Sequence, residues 1–161
     1  MKKFISLLIA LMFVFAMTGC AKTEILESES ESLAGYIVIE DNTLYLDEVE
    51  IVTTEDTDRI TELGLTIEND LPSGYYILNP IIETVSFELT DDTIYTFTDS
   101  NLLFVEDADS NRLYTTTKKK DFLKHLDASY SDDLPAQKVP FFVEVSDGKI
   151  VSVTEEFQFT I

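Results

Sequence analysis

Hydrophobic and polar positions alternate along much of this chain. Val85, Phe87 and Leu89 alternate with Ser86 and Glu88, the clearest period of two, and predict a half-buried strand. The same reading gives a hairpin from Tyr36–Glu40 and Thr43–Val52 about Asp41-Asn42, with Leu44, Leu46 and Val49 facing a core. Tyr75–Leu78 reads as a strand between Leu71-Pro72-Ser73-Gly74 and Asn79-Pro80. Thr84–Leu89 and Thr93–Thr98 read as a second hairpin about Asp91-Asp92, and Leu102–Val105 is a further short apolar run. Phe141–Val145 and Ile150–Val153 flank Ser146-Asp147-Gly148-Lys149. A three-residue loop would pair Val143 with Val151 and Phe141 with Val153, setting apolar residues opposite one another, and is preferred over a two-residue loop. Phe157, Phe159 and Ile161 resume the period and predict a terminal strand.

Two segments carry helical spacing instead. Thr54–Leu65 predicts a short helix capped by Thr54, with Ile60 and Leu63 on one face and Gly64 ending it. Thr117–Asp127 predicts a second, burying Phe122, Leu123 and Leu126. The sum is a mainly β (α+β) domain: a small antiparallel barrel or twisted sheet with two short helices. An oligonucleotide/oligosaccharide-binding (OB)-like barrel is one such fold.

The first 20 residues follow neither period. Lys2 and Lys3 precede an apolar run, Phe4–Met17, broken only by Ser6. As a helix it would rise about 21 Å, short of the roughly 30 Å of a bilayer core, which suits a signal-peptide core. Met17-Thr18-Gly19-Cys20 resembles the lipobox of bacterial lipoproteins, with Met17 departing from the commoner leucine. The resemblance implies cleavage before Cys20, diacylglycerol on its thiol, and a lipid-anchored protein on the extracytoplasmic face of the cell membrane. It covers about the first 21 residues. Beyond them the chain resembles small lipoproteins of Gram-positive bacteria only in a general way, through no motif. The implied organisation is a signal peptide at 1–19, a lipidated cysteine and acidic tether at 20–34, and one domain at 35–161. The Glu-Ser alternation of Glu27–Ser32 supports the tether, because like charges without apolar partners extend a chain.

Charge narrows the function. Acidic residues number 31 against 11 basic ones, a formal net charge of -20. Such a balance keeps a domain soluble and monomeric, repels nucleic acid and favours cationic ligands or basic protein faces. With Cys20 the only cysteine, neither an intramolecular disulfide nor a thiolate zinc site can form. His125 is the only histidine and reads as a surface residue of the second helix. No G-x-S-x-G elbow or glycine-rich phosphate loop is present. Asp107-Ala108-Asp109-Ser110-Asn111 opens like an EF-hand loop, but Arg112 and Lys118 stand where glycine and a bidentate glutamate are required. A looser calcium site from Glu106, Asp107, Asp109 and Asn111 is the metal candidate. Lys118, Lys119, Lys120 and Lys124 form the one basic cluster, suited to an anionic polymer or an acidic partner. The leading expectation is a non-catalytic binding or interaction module, with an envelope protein or a cationic ligand as partner. The second is a carboxylate-using enzyme, or accessory subunit, acting on an envelope polymer. A cleft with two proton-hungry carboxyls would favour the enzyme, and an exposed apolar patch ringed by polar groups would favour the module.

Overall fold

The computed structural model describes residues 30–81, 83–106, 112–130 and 139–155. Cys20 and the C-terminal strand expected at Phe157–Ile161 lie outside them. Five strands close a barrel: β1 (Ser30–Glu40), β2 (Thr43–Glu48), β5 (Thr84–Thr98), β8 (Lys149–Glu155) and β7 (Phe141–Ser146), with β7 returning to β1. Every contact in the ring is antiparallel except β5 with β8. A short β6 (Leu113–Thr116) extends β5 outside the ring. Between β2 and β5 the chain inserts β3 (Glu50–Thr53), α1 (Thr57–Leu63), α2 (Ile67–Asp70) and β4 (Tyr75–Leu78). Among the described residues β3 and β4 pair only with each other. The insertion has its own small core of Val52, Ile60 and Leu71. The third helix, α3 (Lys119–Ser129), packs on β5 and β6.

β1 closes the barrel by serving two partners. Its first half, Ser30–Gly35, pairs with β7, and its second half, Gly35–Glu40, pairs with β2. The strand therefore takes in residues 30–34, which were expected to be tether. Closing the ring gives the backbone of Ser30 to Leu33 a ladder partner on β7 that self-repulsion does not outweigh. Their polar side chains face outward, while Leu33 packs on the core.

β5 shows a second departure. The hairpin expected about Asp91-Asp92 is one continuous strand whose register with β8 breaks between Leu89 and Ile94. Buried Thr93 holds the break, its hydroxyl donating to Ile150 O at 2.9 Å and accepting from Thr90 N at 3.0 Å. Such a bulge bends a strand without reversing it. The first half of β5 can then pair with β2 while the second pairs with β6.

The final hairpin turns through two residues, Asp147 (φ 52°) and Gly148 (φ 74°), not three. Val145 faces Ile150, a one-residue bulge follows at Val151, and Val143 then faces Val153. Apolar residues still oppose one another, but the bulge achieves it rather than the longer loop. Leu102–Val105 is not a strand. It folds around buried Asp99, whose carboxylate accepts from the amides of Leu103, Phe104 and Val105 at 2.7–3.0 Å.

Both predicted helices form, slightly shifted. Asp56, not Thr54, precedes α1, its carboxylate accepting from the amide and hydroxyl of Thr53. Gly64 ends α1 in the left-handed region as expected (φ 68°), with Leu65 N donating to Ile60 O at 2.9 Å. On α3 the buried pair is Phe122 and His125, while Leu123 is exposed. The core it covers holds Leu44, Leu46, Tyr95, Phe97, Phe141, Val143 and Val153, all fully buried.

Candidate binding groove

The insertion stands against the barrel end where β1 starts and β2 finishes, and an open groove of about 670 Å³ lies between them. Leu33 and Val49 come from the barrel side, Ile51 from β3, Leu78 from β4, and Ile81 and Val85 from the approach to β5. Pro80 breaks the β4 ladder because proline carries no amide hydrogen, and the chain then exposes Ile81 (64 %) before β5 begins. Val85 follows the core parity of Phe87 and Leu89 and pairs with Leu46 of β2, yet is 46 % exposed. Glu48, Glu50 and Glu83 line the same groove. Among the described residues its one basic lining residue, Arg59, is held by Glu50 (Nε to Oε1 2.7 Å, Nη2 to Oε2 2.8 Å) and by Glu62 at 2.6 Å. The hydrogen bond from Arg59 is the main cause holding the Glu50 carboxyl below its ordinary range. The groove is thus apolar within and negative at its edge.

Under α3 lies a different arrangement. His125 is buried, not on the surface, and stacks on Phe97 at 4.1 Å between centroids. Its position three residues after Phe122 carried the signal, since i and i+3 share a helical face. His125 Nε2 lies 3.3 Å from Glu155 Oε1, an oxygen that also accepts from the Tyr130 hydroxyl. Glu155 Oε2 accepts from Thr98 N at 2.7 Å. Burial by itself pushes the Glu155 carboxyl up, but the bonds from His125, Tyr130 and Thr98 together outweigh it, and the net displacement is downward. Burial, and then the Glu155 contact, raise the Tyr130 phenol. Ser129 Oγ, 3.4 Å from His125 Nδ1, completes a serine–histidine–carboxylate order beside a cavity of about 300 Å³. Ser129 is the last residue of α3, where the carbonyl end of the helix opposes a developing oxyanion.

The residues singled out in the sequence do not converge on either place. Glu106 is exposed in the loop after Phe104, and Asp107, Asp109 and Asn111 lie outside the described residues. Lys119 donates to Asp41 O at 2.8 Å and to Asn42 Oδ1, tying the β1–β2 turn to α3, and Lys124 sits over the Phe104 ring at 5.0 Å. Two of the four lysines are therefore engaged in contacts of the fold itself. The groove had no sequence signal, because its walls come from five separate stretches of chain.

The ring order β1-β2-β5-β8-β7, its single parallel contact, and a helix between the third and fourth barrel strands have the connectivity of an OB barrel. In such barrels the ligand is commonly clasped by the loops joining strands one to two and four to five. Here those loops are the tight turns Asp41-Asn42 and Asp147-Gly148, too short to enclose anything. No protein-family model matches the chain, and no curated protein or solved structure matches it.

Proposed function

We propose that this is a lipid-anchored extracytoplasmic protein whose barrel is a non-catalytic binding module, with the groove between barrel and insertion as its contact surface. The observation that carries the reading is the apolar groove rimmed by Glu48, Glu50 and Glu83, with Ile81 and Val85 open to solvent. Contiguous exposed apolar surface rimmed by polar groups is the kind that favours association. The acidic edge selects a partner segment with basic residues flanking apolar ones. Anchoring supplies proximity. Nine residues separate Cys20 from Ser30, a reach of at most about 30 Å. The groove includes Ser32–Ala34, just beyond that tether, so it faces partners close to the membrane surface. For the enzymatic alternative a proton-donating carboxyl is needed, whereas among the described residues the displaced carboxyls Glu50, Asp56, Asp99 and Glu155 are displaced downward.

A photocrosslinking residue placed at Ile81 in the native host is expected to give a discrete product, one absent when the probe stands at Leu113, another exposed apolar site, on β6. The pair Ile81→Asp and Val85→Asp should abolish that product and change the melting temperature by less than about 2 °C, as exposed substitutions do. Identical patterns from both probe sites would remove the groove from consideration. The anchor is tested separately. Cys20→Ala should lose all metabolic labelling by an alkyne fatty acid and appear in the medium, and a labelled, membrane-bound variant would end that reading.

A further inference from the structure

The walls of the groove part like a fork, and each turns a strand edge toward the gap. β1 and β2 pair from Glu40↔Thr43 to Gly35↔Glu48, and Val49 N carries the ladder one step further, to Ala34 O at 2.9 Å. There the continuation of β2 leaves. Glu50 and Ile51, which would come to lie opposite Leu33 and Ser32, pair with Leu78 and Ile77 of β4 instead. Main-chain groups of alternate residues point to the same side of a strand. Since Ala34 O faces β2, Ser32 and Ser30 aim their N–H and C=O the same way, into the space that β2 has left. By the same alternation Glu31, Leu33 and Gly35 serve the ladder with β7. The opposite wall is built alike. Thr53 N turns away from β4 and donates to Asp56 Oδ2 at 2.7 Å, so Ile51, two residues earlier, also presents its main chain away from β4. Ser32, Leu33, Ala34, Glu50 and Ile51 all line the groove. Among the described residues no strand fills the fork. An open edge of this kind is a template for another chain.

We propose, resting on the groove as the contact surface, that its ligand is an extended segment of a partner protein, alternating apolar and basic residues, which adds as a strand antiparallel to Ser30–Ala34. Recognition of this type draws affinity from main-chain hydrogen bonds and specificity from alternate side chains. Directly opposed residues of an antiparallel pair share a face. The residue opposite Leu33 therefore joins it on the face turned to the core, and is apolar. The residues opposite Ser32 and Ala34 lie on the outer face. There Glu144 stands across β1 from Ser32, and Glu48, Glu50 and Glu83 edge the groove. Lysine or arginine suits those positions. Charge also separates this occupant from two others. Residues 156–161 of the chain itself include Glu156 and no basic residue, and a second copy would bring its own net charge of -20. Neither complements an acidic rim.

The test uses the full-length chain in non-ionic detergent and a fluorescein-labelled hexapeptide that alternates lysine and valine, read by fluorescence anisotropy. Saturable binding is expected. It should weaken about tenfold when glutamate replaces lysine, and about tenfold when the backbone nitrogens of the lysines are methylated, which keeps every side chain and removes main-chain donors. Ser32→Pro deletes an N–H that faces the fork and not β7, and proline is accepted on such an edge. That variant should fold and bind the peptide about tenfold more weakly. Hydrogen exchange of the Ser32 amide in the parent chain needs no variant: the lysine–valine peptide should slow it and the methylated form should not. No saturable binding, equal binding of the methylated peptide, full affinity in a folded Ser32→Pro, or an unprotected Ser32 amide would overturn strand addition. Binding that appears only once residues 156–161 are deleted, or a dimer that the peptide dissociates, would assign the edge to the chain itself and overturn it as well. In the host, Ser32→Pro should also remove the Ile81 crosslink. A crosslink that persists in Ser32→Pro ends strand addition and leaves the groove standing, whereas identical products from Ile81 and Leu113 remove the groove itself.

Discussion

Gly35→Ala is expected to destabilise the domain by about 3 kcal/mol, at the upper end of overpacking effects, and to lower its melting temperature by roughly 10 °C. The cause is a close approach of two strands. Gly35 is where β1 changes partner, pairing with Phe141 of β7 on one side and Glu48 of β2 on the other. A methyl group there would sit 2.4 Å from the carbonyl oxygen of Asp47 and 2.6 Å from Leu46 Cδ1. The leucine tip could rotate away, but the carbonyl belongs to the backbone of β2. Relief would require β1 to move off β2, opening the ring where it closes. Gly64→Ala serves as the comparison. Gly64 has no atom in the way and only a left-handed φ of 68°, so its cost should be about 1 kcal/mol. A Gly35 variant no less stable than the Gly64 variant would show that β1 does not close the barrel in this way.

Glu155→Ala is the second large effect, expected at about 3–5 kcal/mol because it removes one partner of a buried pair. The imidazole of His125, the hydroxyl of Tyr130 and the amide of Thr98 would all lose their acceptor in the same water-free space. Glu155→Gln keeps an acceptor for Thr98 and should cost less than half as much. The pair also sets the acid limb of stability. Glu155 binds its proton more weakly in the folded state than in the unfolded chain. Its contribution is therefore complete above the unfolded value, about 4.3, and is lost as pH falls through the lower folded value. Asp99 is displaced the same way: burial opposes ionisation, but three backbone amides and His125 outweigh it. Melting temperature should be level down to about pH 5 and then fall, more shallowly in Glu155→Gln than in the parent chain. Parallel acid limbs in the two proteins would contradict this account of Glu155.

His125 and Asp47 show how far a sequence can be read. Leu44, Leu46, Phe122, Phe141, Val143 and Val153 were legible as core, because alternation and helical spacing state which face is buried. Gly64 was legible as a stop, since only its own backbone is involved. His125 shared the buried face of α3 with Phe122, but its polarity argued for the surface. Only the chain's return at Glu155, thirty residues later, supplies the partner that makes its burial tolerable. Asp47 sits on an outward-facing position and would be solvated in an isolated sheet. It is buried because the insertion Glu50–Leu78, twenty-nine residues long, brings Asn79 back against it.

Turns divide in the same way. Asp41-Asn42 and Asp147-Gly148 are local chemistry, and both reverse the chain as their residues demand. Asp91-Asp92 has similar composition yet lies within a strand, because Thr93 finds a carbonyl on β8 and the ring needs a bend rather than a reversal there. Ser30–Ala34 looks like solvated linker until β7, more than a hundred residues away, offers a ladder.

By itself, then, the sequence determined the strand-rich class, most of the core and the resemblance of Met17–Cys20 to a lipobox, since each depends on neighbouring residues and their period. Tertiary structure decided the closure of the barrel at Gly35, the bulges that bend β5 and β8, the groove, and the burial of Asp47, His125 and Glu155. Each of these requires stretches distant in the chain to meet, and a period along one strand carries no information about which strand will lie beside it.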